Sequence, residues 1–210
     1  MTATNPPYSY DIVGRQLPAQ ALKQARADFA AGTITREALT AAEDKAITEL
    51  VEKEKQAGLK AVTDGEFRRA MWHLDFLEAL ENVEHVDADT WSVEFKGPKP
   101  KGAQLVFRGK IAFGDHPFLA HFDALRDIAG DYPTKLTIPA PSMLHLIPCV
   151  RGKATYRPTE RYQDERVLFD DIVEVYRDAV RAFYDRGCRY LQFDDTSWGE
   201  FCDAAKREAY

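Results

Sequence analysis

The sequence predicts an α/β protein of the (β/α)8 TIM-barrel type, about half a barrel with four parallel core strands and an inserted β-hairpin. Three observations predict it. Short apolar segments of strand type alternate with helical segments along the 210 residues, the pattern of parallel βαβ units. Two of those segments, Val62-Thr-Asp-Gly-Glu66 and Leu191-Gln-Phe-Asp-Asp195, end in acidic residues, and ligands bind at the ends of such strands. A doubly wound sheet also hosts four strands. However, the first turn, Gly14-Arg-Gln-Leu-Pro-Ala19, lacks the glycine-rich fingerprint for a dinucleotide.

Taken in order, Tyr10–Val13 reads as a first strand ending at Gly14. From Gln20 to Ala31, Ala21, Leu22, Ala25 and Phe29 recur at helical spacing, and Gly32 stops the run. Thr35 is a good N-cap for a second helix, whose stripe is Leu39, Ala42, Ala46, Ile47, Leu50 and Val51. Gly58 stands where a C-terminal glycine belongs. Leu59 to Thr63 is the second strand. Arg68 to Asn82 reads as a helix rich in aromatic and apolar residues. Trp91–Phe95 alternates, 96–102 is a lysine-bearing turn, and Gln104–Phe113 is strand-like again, which predicts the hairpin near 91–113. Pro117 opens a helix that ends near Gly130. Lys135 to Ile138 is the third strand, and Pro139 and Pro141 force an irregular loop after it. Asp164 to Arg186 is a long helix closed by Gly187, Arg189 to Phe193 is the fourth strand, and Trp198 starts a last helix. No internal repeat, low-complexity tract or linker interrupts the chain, so a single domain over 1–210 is expected.

Composition bounds the function. Apolar residues make up 45% and aromatics 11%, enough for a real core. The net charge of −6 implies no general affinity for nucleic acid. No apolar run approaches the roughly 20 residues that cross a bilayer, and the first residues lack the basic and apolar segments of a signal peptide. A cytoplasmic location is the expectation. Cys149, Cys188 and Cys202 are an odd set with no close pair, so no disulfide framework is expected.

The candidate site residues are the strand-end acids. Glu66 and Asp194 are the leading catalytic and substrate-binding candidates, with Asp64 and Asp195 beside them. Carboxylates from two distant segments at one rim would suit a cationic or proton-exchanging substrate. The plainer reading is that such acids cap the helices that follow. His73, just past the first motif, could exchange protons near neutrality or simply bond a backbone carbonyl. Arg68 and Arg69 are placed to pair with Glu66 or other nearby acids. His145 and Cys149 share a helical face at i, i+4, yet two ligands fall short of a closed zinc site.

The segments Val13-Gly14, Leu22-Lys-Gln-Ala-Arg26, Glu43-Asp44, Val62-Thr-Asp-Gly-Glu-Phe-Arg-Arg69, Trp72-His-Leu-Asp-Phe76 and Leu191-Gln-Phe-Asp-Asp-Thr-Ser-Trp198 resemble the cobalamin-independent methionine synthase family. The likeness is to its short bacterial members and to the N-terminal half of the catalytic C-terminal barrel. It runs from about Tyr10 to Trp198 and rests on the two acidic motifs together. The resemblance implies methyl transfer from methyltetrahydrofolate to homocysteine, with zinc holding the homocysteine thiolate. It implies that Glu66 holds the homocysteine ammonium, that Asp194 contacts the amino acid, and that Ser142 lies near the folate. The family's zinc ligands belong to the other half of the barrel, so no metal ligand is assigned here.

Where the family carries Gly-Ser after the first strand, this chain carries Gly14-Arg15. A cation there repels an ammonium, or binds a carboxylate or phosphonate. That departure keeps one alternative open, and the stop after Tyr210 another. One is a related barrel enzyme acting on another small acid, of decarboxylase or C–S lyase type. The other is a non-catalytic fragment or binding subunit. Four strands leave open sheet edges, so self-association or a second chain completing the barrel is also expected.

Overall fold

The computed structural model describes residues 10–88, 102–151 and 156–209. In chain order these form α1 (Gln20–Ala30), α2 (Arg36–Gln56), α3 (Leu74–Leu77), β1 (Glu81–Ala88), β2 (Gly102–Ala112), α4 (Phe118–Ala129), β3 (Leu136–Pro139), α5 (Pro141–His145), a π-helical turn at Leu146–Arg151, α6 (Glu165–Asp185), β4 (Leu191–Asp194), a 3-10 turn at Ser197–Cys202, and α7 (Ala204–Ala209). The architecture is mixed α/β with small sheets. The described residues divide into two compact units: 10–72, 118–137 and 183–192 make the first, and 73–88, 102–117, 138–151, 156–182 and 193–209 the second. No helix among the described residues is long and apolar enough to cross a membrane.

The first unit is built around α1, α2 and α4. Leu22, Ile47, Val51, Val62, Phe67, Leu125 and Ala129 pack into one buried cluster. The ends of α2 follow from local chemistry. Thr35 Oγ1 accepts the Ala38 N–H at 3.3 Å. At the other end Gly58 takes φ +85°, and the Gly58 and Leu59 amides donate to Lys55 and Glu54, which is the Schellman arrangement. The helix ending at Gly187 closes the same way, with Cys188 N–H on the Phe183 carbonyl at 2.9 Å.

The expected first strand, Tyr10–Val13, is not a strand. Side chains take its backbone groups in place of a neighbouring strand. Lys135 Nζ bonds the Ile12 carbonyl and Gln192 Nε2 the Val13 carbonyl at 3.0 Å, while the Thr63 hydroxyl, shared with Glu54, lies 3.3 Å from the Gly14 carbonyl. The expected second strand, 59–63, is reduced to one parallel bridge between Val62 and Thr134. The third and fourth strands form as β3 and β4, which pair in a two-stranded sheet. In the first unit Leu136 N–H bonds the Tyr190 carbonyl, and in the second Ala140 N–H bonds the Asp194 carbonyl. Both residue numbers rise together, so the pair is parallel.

The helix expected over 68–82 shrinks to α3. Arg26, far upstream, takes the backbone carbonyls of Phe67 and Arg69. Those oxygens are the ones a continuing helix would offer to amides four residues on. The hairpin is present at a different register: the expected strand 91–95 and all of the expected turn 96–102 except Gly102, which begins β2, lie outside the described residues, and β1 pairs antiparallel with β2 instead. A bulge between Glu81 and Val83 shifts that register. There Asn82 sits at φ +61° and its side-chain amide donates to the Lys110 carbonyl at 2.7 Å. The loop expected at 139–143 is also different. Pro141 stands at the start of α5, where its missing N–H costs nothing.

In the second unit Phe76, Phe113, His116 and Tyr176 make an aromatic core, with Phe113 and His116 stacked at 5.0 Å. The Tyr162 hydroxyl accepts the Ile111 N–H at 2.8 Å and donates to Asp171 at 2.9 Å. Arg161 adds a two-pronged contact to the same carboxylate, at 2.6 and 2.8 Å. The hydrogen bond from Arg161 outweighs burial and holds the Asp171 carboxyl below its usual value. Its folded pKa is depressed, so the stability it contributes is present above the ordinary carboxylate pKa and is lost as pH falls through the folded one. Asp171→Asn is expected to cost about 2 kcal/mol at neutral pH. Chemical denaturation from pH 6 down should show the variant losing less stability with acid than the parent. Parallel slopes would contradict the assignment.

Candidate functional site

The turn Thr63–Arg69 is fixed from every side. Glu54, buried on α2, accepts the Thr63 N–H at 2.8 Å and the Thr63 hydroxyl at 3.1 Å. Burial raises the Glu54 carboxyl pKa, against the bonds from Thr63 that lower it. Thr63 Oγ1 accepts the Gly65 N–H at 3.2 Å, and Asp64 Oδ1 accepts the Glu66 N–H at 2.9 Å. Gln16 N–H bonds the Gly65 carbonyl at 3.1 Å. Arg68 turns outward from this motif to Glu43 and Asp44 on α2.

The product of this scaffold is a strained, buried carboxylate. Glu66 sits at φ +58°, a conformation that costs a non-glycine residue on the order of 1 kcal/mol or more. Its side chain is 2% exposed. Oε1 accepts the Thr137 hydroxyl at 3.1 Å and lies 3.5 Å from Arg69. Oε2 is buried and has no hydrogen bond among the described residues. Arg15, half exposed, stands 3.5 Å from it. Desolvation raises the Glu66 pKa; Asp64 adds to the rise, while Arg69, Thr137 and Arg15 oppose it. Gly14 is the close neighbour: a Cβ there would lie 2.7 Å from Thr137 Cγ2 and 3.5 Å from Glu66 Oε1.

Arg69 is the buried counter-ion. It donates to the Thr137 carbonyl at 2.7 Å and to its hydroxyl at 3.2 Å, and its guanidinium lies 4.6 Å from the centre of the Phe118 ring. Lys135, fully buried, reaches Asp11 at 2.8 Å and so anchors the segment that carries Arg15. Thr137, Gly14, Glu54 and Lys135 were not singled out from sequence as site residues. A threonine and a lysine in an otherwise apolar strand segment, Lys135-Leu-Thr-Ile138, were the available signal.

Of the sequence candidates, Glu66, Asp64 and Arg15 come together in the first unit. Asp64 serves the turn, as an acceptor for the Glu66 amide. The others belong to the second unit. Asp194 is half-buried at the end of β4. Asp195 accepts the Ser142 hydroxyl at 2.9 Å and both the amide and hydroxyl of Ser197. Burial pushes its pKa up, and the bonds from Ser197, Ser142 and Trp198 outweigh that and bring it below the usual value. His73 is buried; desolvation, with Arg151 adding to it, pushes the imidazole down to about 4, so it is neutral at pH 7. Ser142, His145, Phe169 and Trp198 help to line an apolar cavity of about 410 Å³ in the same unit.

The described residues do not supply a zinc site. Among them no three His, Cys, Asp or Glu side chains are grouped to hold a metal. His145 is bonded to Glu165 at 2.7 Å. Burial, opposed by a bond from Tyr156 and aided by Glu165, pushes the Cys149 thiol up to about 11, away from the thiolate that a metal needs.

Comparison with known proteins places this geometry in context. No family model matches the chain. Two Bacillus subtilis proteins, both uncharacterized, are similar to it. YxjH is 43% identical over 96% of this chain and 52% of its own length, and YxjG 44% identical over 93% and 50%. The chain thus spans about half the length of the curated relatives it matches. Among solved structures, a Listeria monocytogenes protein provisionally named a vitamin-B12-independent methionine synthase matches with TM-score 0.76 and 38% identity, over 94% of this chain and 54% of its own. A B12-independent methionine synthase from Shewanella sp. W3-18-1, solved with selenomethionine, matches in fold alone, with TM-score 0.57 and 17% identity over 82% and 48%.

Proposed function

We propose that this chain carries an amino-acid-binding part of a methyltransferase of the B12-independent methionine synthase type, within one half of a (β/α)8-type barrel. The observation that carries the proposal is the second oxygen of Glu66. A buried carboxylate oxygen without a hydrogen bond is costly, and here the backbone is strained to hold it in place. An ammonium group supplies the missing donors. The substrate class is therefore an amino acid such as homocysteine. Asp194 is retained as the second acid that the resemblance implies, and Asp194→Asn tests it independently. The zinc of such a reaction is assigned to no residue of this chain, and of the folate site only Ser142 is implied by the resemblance.

Glu66 acts in this proposal as a fixed anion. Thr137 and Arg69 occupy one oxygen and orient the other, so that substrate binding completes the coordination of the carboxylate. Glu66→Gln keeps the shape and removes the charge. In calorimetric titration with L-homocysteine, the variant is expected to bind at least about tenfold more weakly, the loss of one charge-assisted bond. Equal affinity for parent and variant would overturn the proposal. Arg15 favours a second reading, a related enzyme acting on another small acid; binding of simple dicarboxylates or phosphonates in place of homocysteine would support it.

A further inference from the structure

We infer that Arg15 is the substrate-selecting residue of the Glu66 site and confers a requirement for a carboxylate, so that the ligand is an α-amino acid rather than an amine. The inference rests on the Glu66 reading above and goes one step beyond it. Three features carry it. Arg15 Nη1 lies 3.5 Å from Glu66 Oε2, too far for a hydrogen bond and near enough for charge pairing. Arg15 is 50% exposed in its side chain, whereas the other cation on Glu66, Arg69, is 1% exposed and committed to Thr137. The buried cation therefore has a structural task, and the half-exposed one is available to a ligand.

The charges fit one ligand chemistry. An α-amino acid carries its ammonium and its carboxylate on a single carbon, so its two charges are spaced as closely as those of Glu66 and Arg15. The ammonium takes the open oxygen of Glu66. The carboxylate takes the guanidinium, whose planar fork matches two carboxylate oxygens. With no ligand, Arg15 lies over Glu66 and partly balances its charge. An amine without a carboxylate has to displace that cation and gains nothing from it. A plain anion meets Glu66 without compensation. The pair thus rejects both halves of the ligand when each is offered alone, which is selection by repulsion as well as attraction.

The test compares three probes on the purified chain by calorimetry: L-methionine, L-methionine methyl ester, and 3-(methylthio)propylamine. Parent protein, Arg15→Gln, Arg15→Lys and Glu66→Gln are measured, with circular dichroism as the check of folding. Arg15→Gln is expected to weaken L-methionine about tenfold while leaving the ester and the amine unchanged or tighter. Arg15→Lys should restore part of the loss. If Arg15→Gln weakens all three probes equally, or none, the role given to Arg15 is wrong while the Glu66 reading stands. If the parent binds neither the amino acid nor the amine, or Glu66→Gln changes no affinity, the Glu66 reading fails and this inference fails with it.

Discussion

Replacing Arg69 by alanine should lower stability by about 3–5 kcal/mol, because one partner of a buried ion pair is removed and the other stays behind. The Arg69 side chain is 1% exposed and Glu66 is 2% exposed, so the pair is shielded from bulk solvent. The loss would leave the Thr137 carbonyl without its 2.7 Å donor and take the guanidinium from the Phe118 ring. The double variant Arg69→Ala/Glu66→Gln separates the terms. Without the Glu66 charge, the stranded-carboxylate part of the penalty disappears, and the double variant should be more stable than Arg69→Ala alone. Urea denaturation measures both. A double variant less stable than the single one would show that Glu66 was not the group Arg69 compensates.

Gly65→Ala should cost about 3 kcal/mol, for two physical reasons that add. Gly65 has φ +62°, a region that side chains rarely adopt. A Cβ there would also come within 2.5 Å of Leu50 Cδ2 and 2.9 Å of the Phe67 ring. Gly32→Ala is the control. Gly32 has φ +73° with nothing within 4 Å of the added carbon, so it reports backbone strain alone, about 1 kcal/mol. Thermal or chemical unfolding of both should leave a clear gap between them. Equal losses would mean that Leu50 and Phe67 yield freely. Because Gly65 sets the direction of Glu66, ligand binding should fall with stability in the first variant and be untouched in the second.

Both predictions concern residues inside one motif, yet the motif was only partly legible. Thr63-Asp-Gly-Glu66 pointed to a turn bearing acids because glycine and aspartate favour such turns through their own local chemistry. Glu66 and Arg69 were readable as neighbours three positions apart. That Arg68 pairs elsewhere, with Glu43 and Asp44, follows from where α2 lies. The same division explains the misread segments. The run Met71 to Leu80 has the apolar content of a helix, but the Arg26 guanidinium takes the Phe67 and Arg69 carbonyls. Tyr10–Val13 has the composition of a strand, but Lys135 and Gln192 take the Ile12 and Val13 carbonyls. In each case a distant side chain competes for groups that local propensity assigns to a neighbour or a ladder.

The amino-acid sequence by itself determined the helix ends at Thr35, Gly58 and Gly187 and the acid-bearing turn at Thr63–Glu66. Those features depend on residues within a turn or two of one another, where hydrogen bonding and steric limits act without help. Only the tertiary structure decided that Glu66 would be buried at positive φ, held by Thr137 and Arg69 on one oxygen and faced by Arg15 on the other. Burial and charge pairing depend on which segments meet in space, and sequence separation carries no record of that.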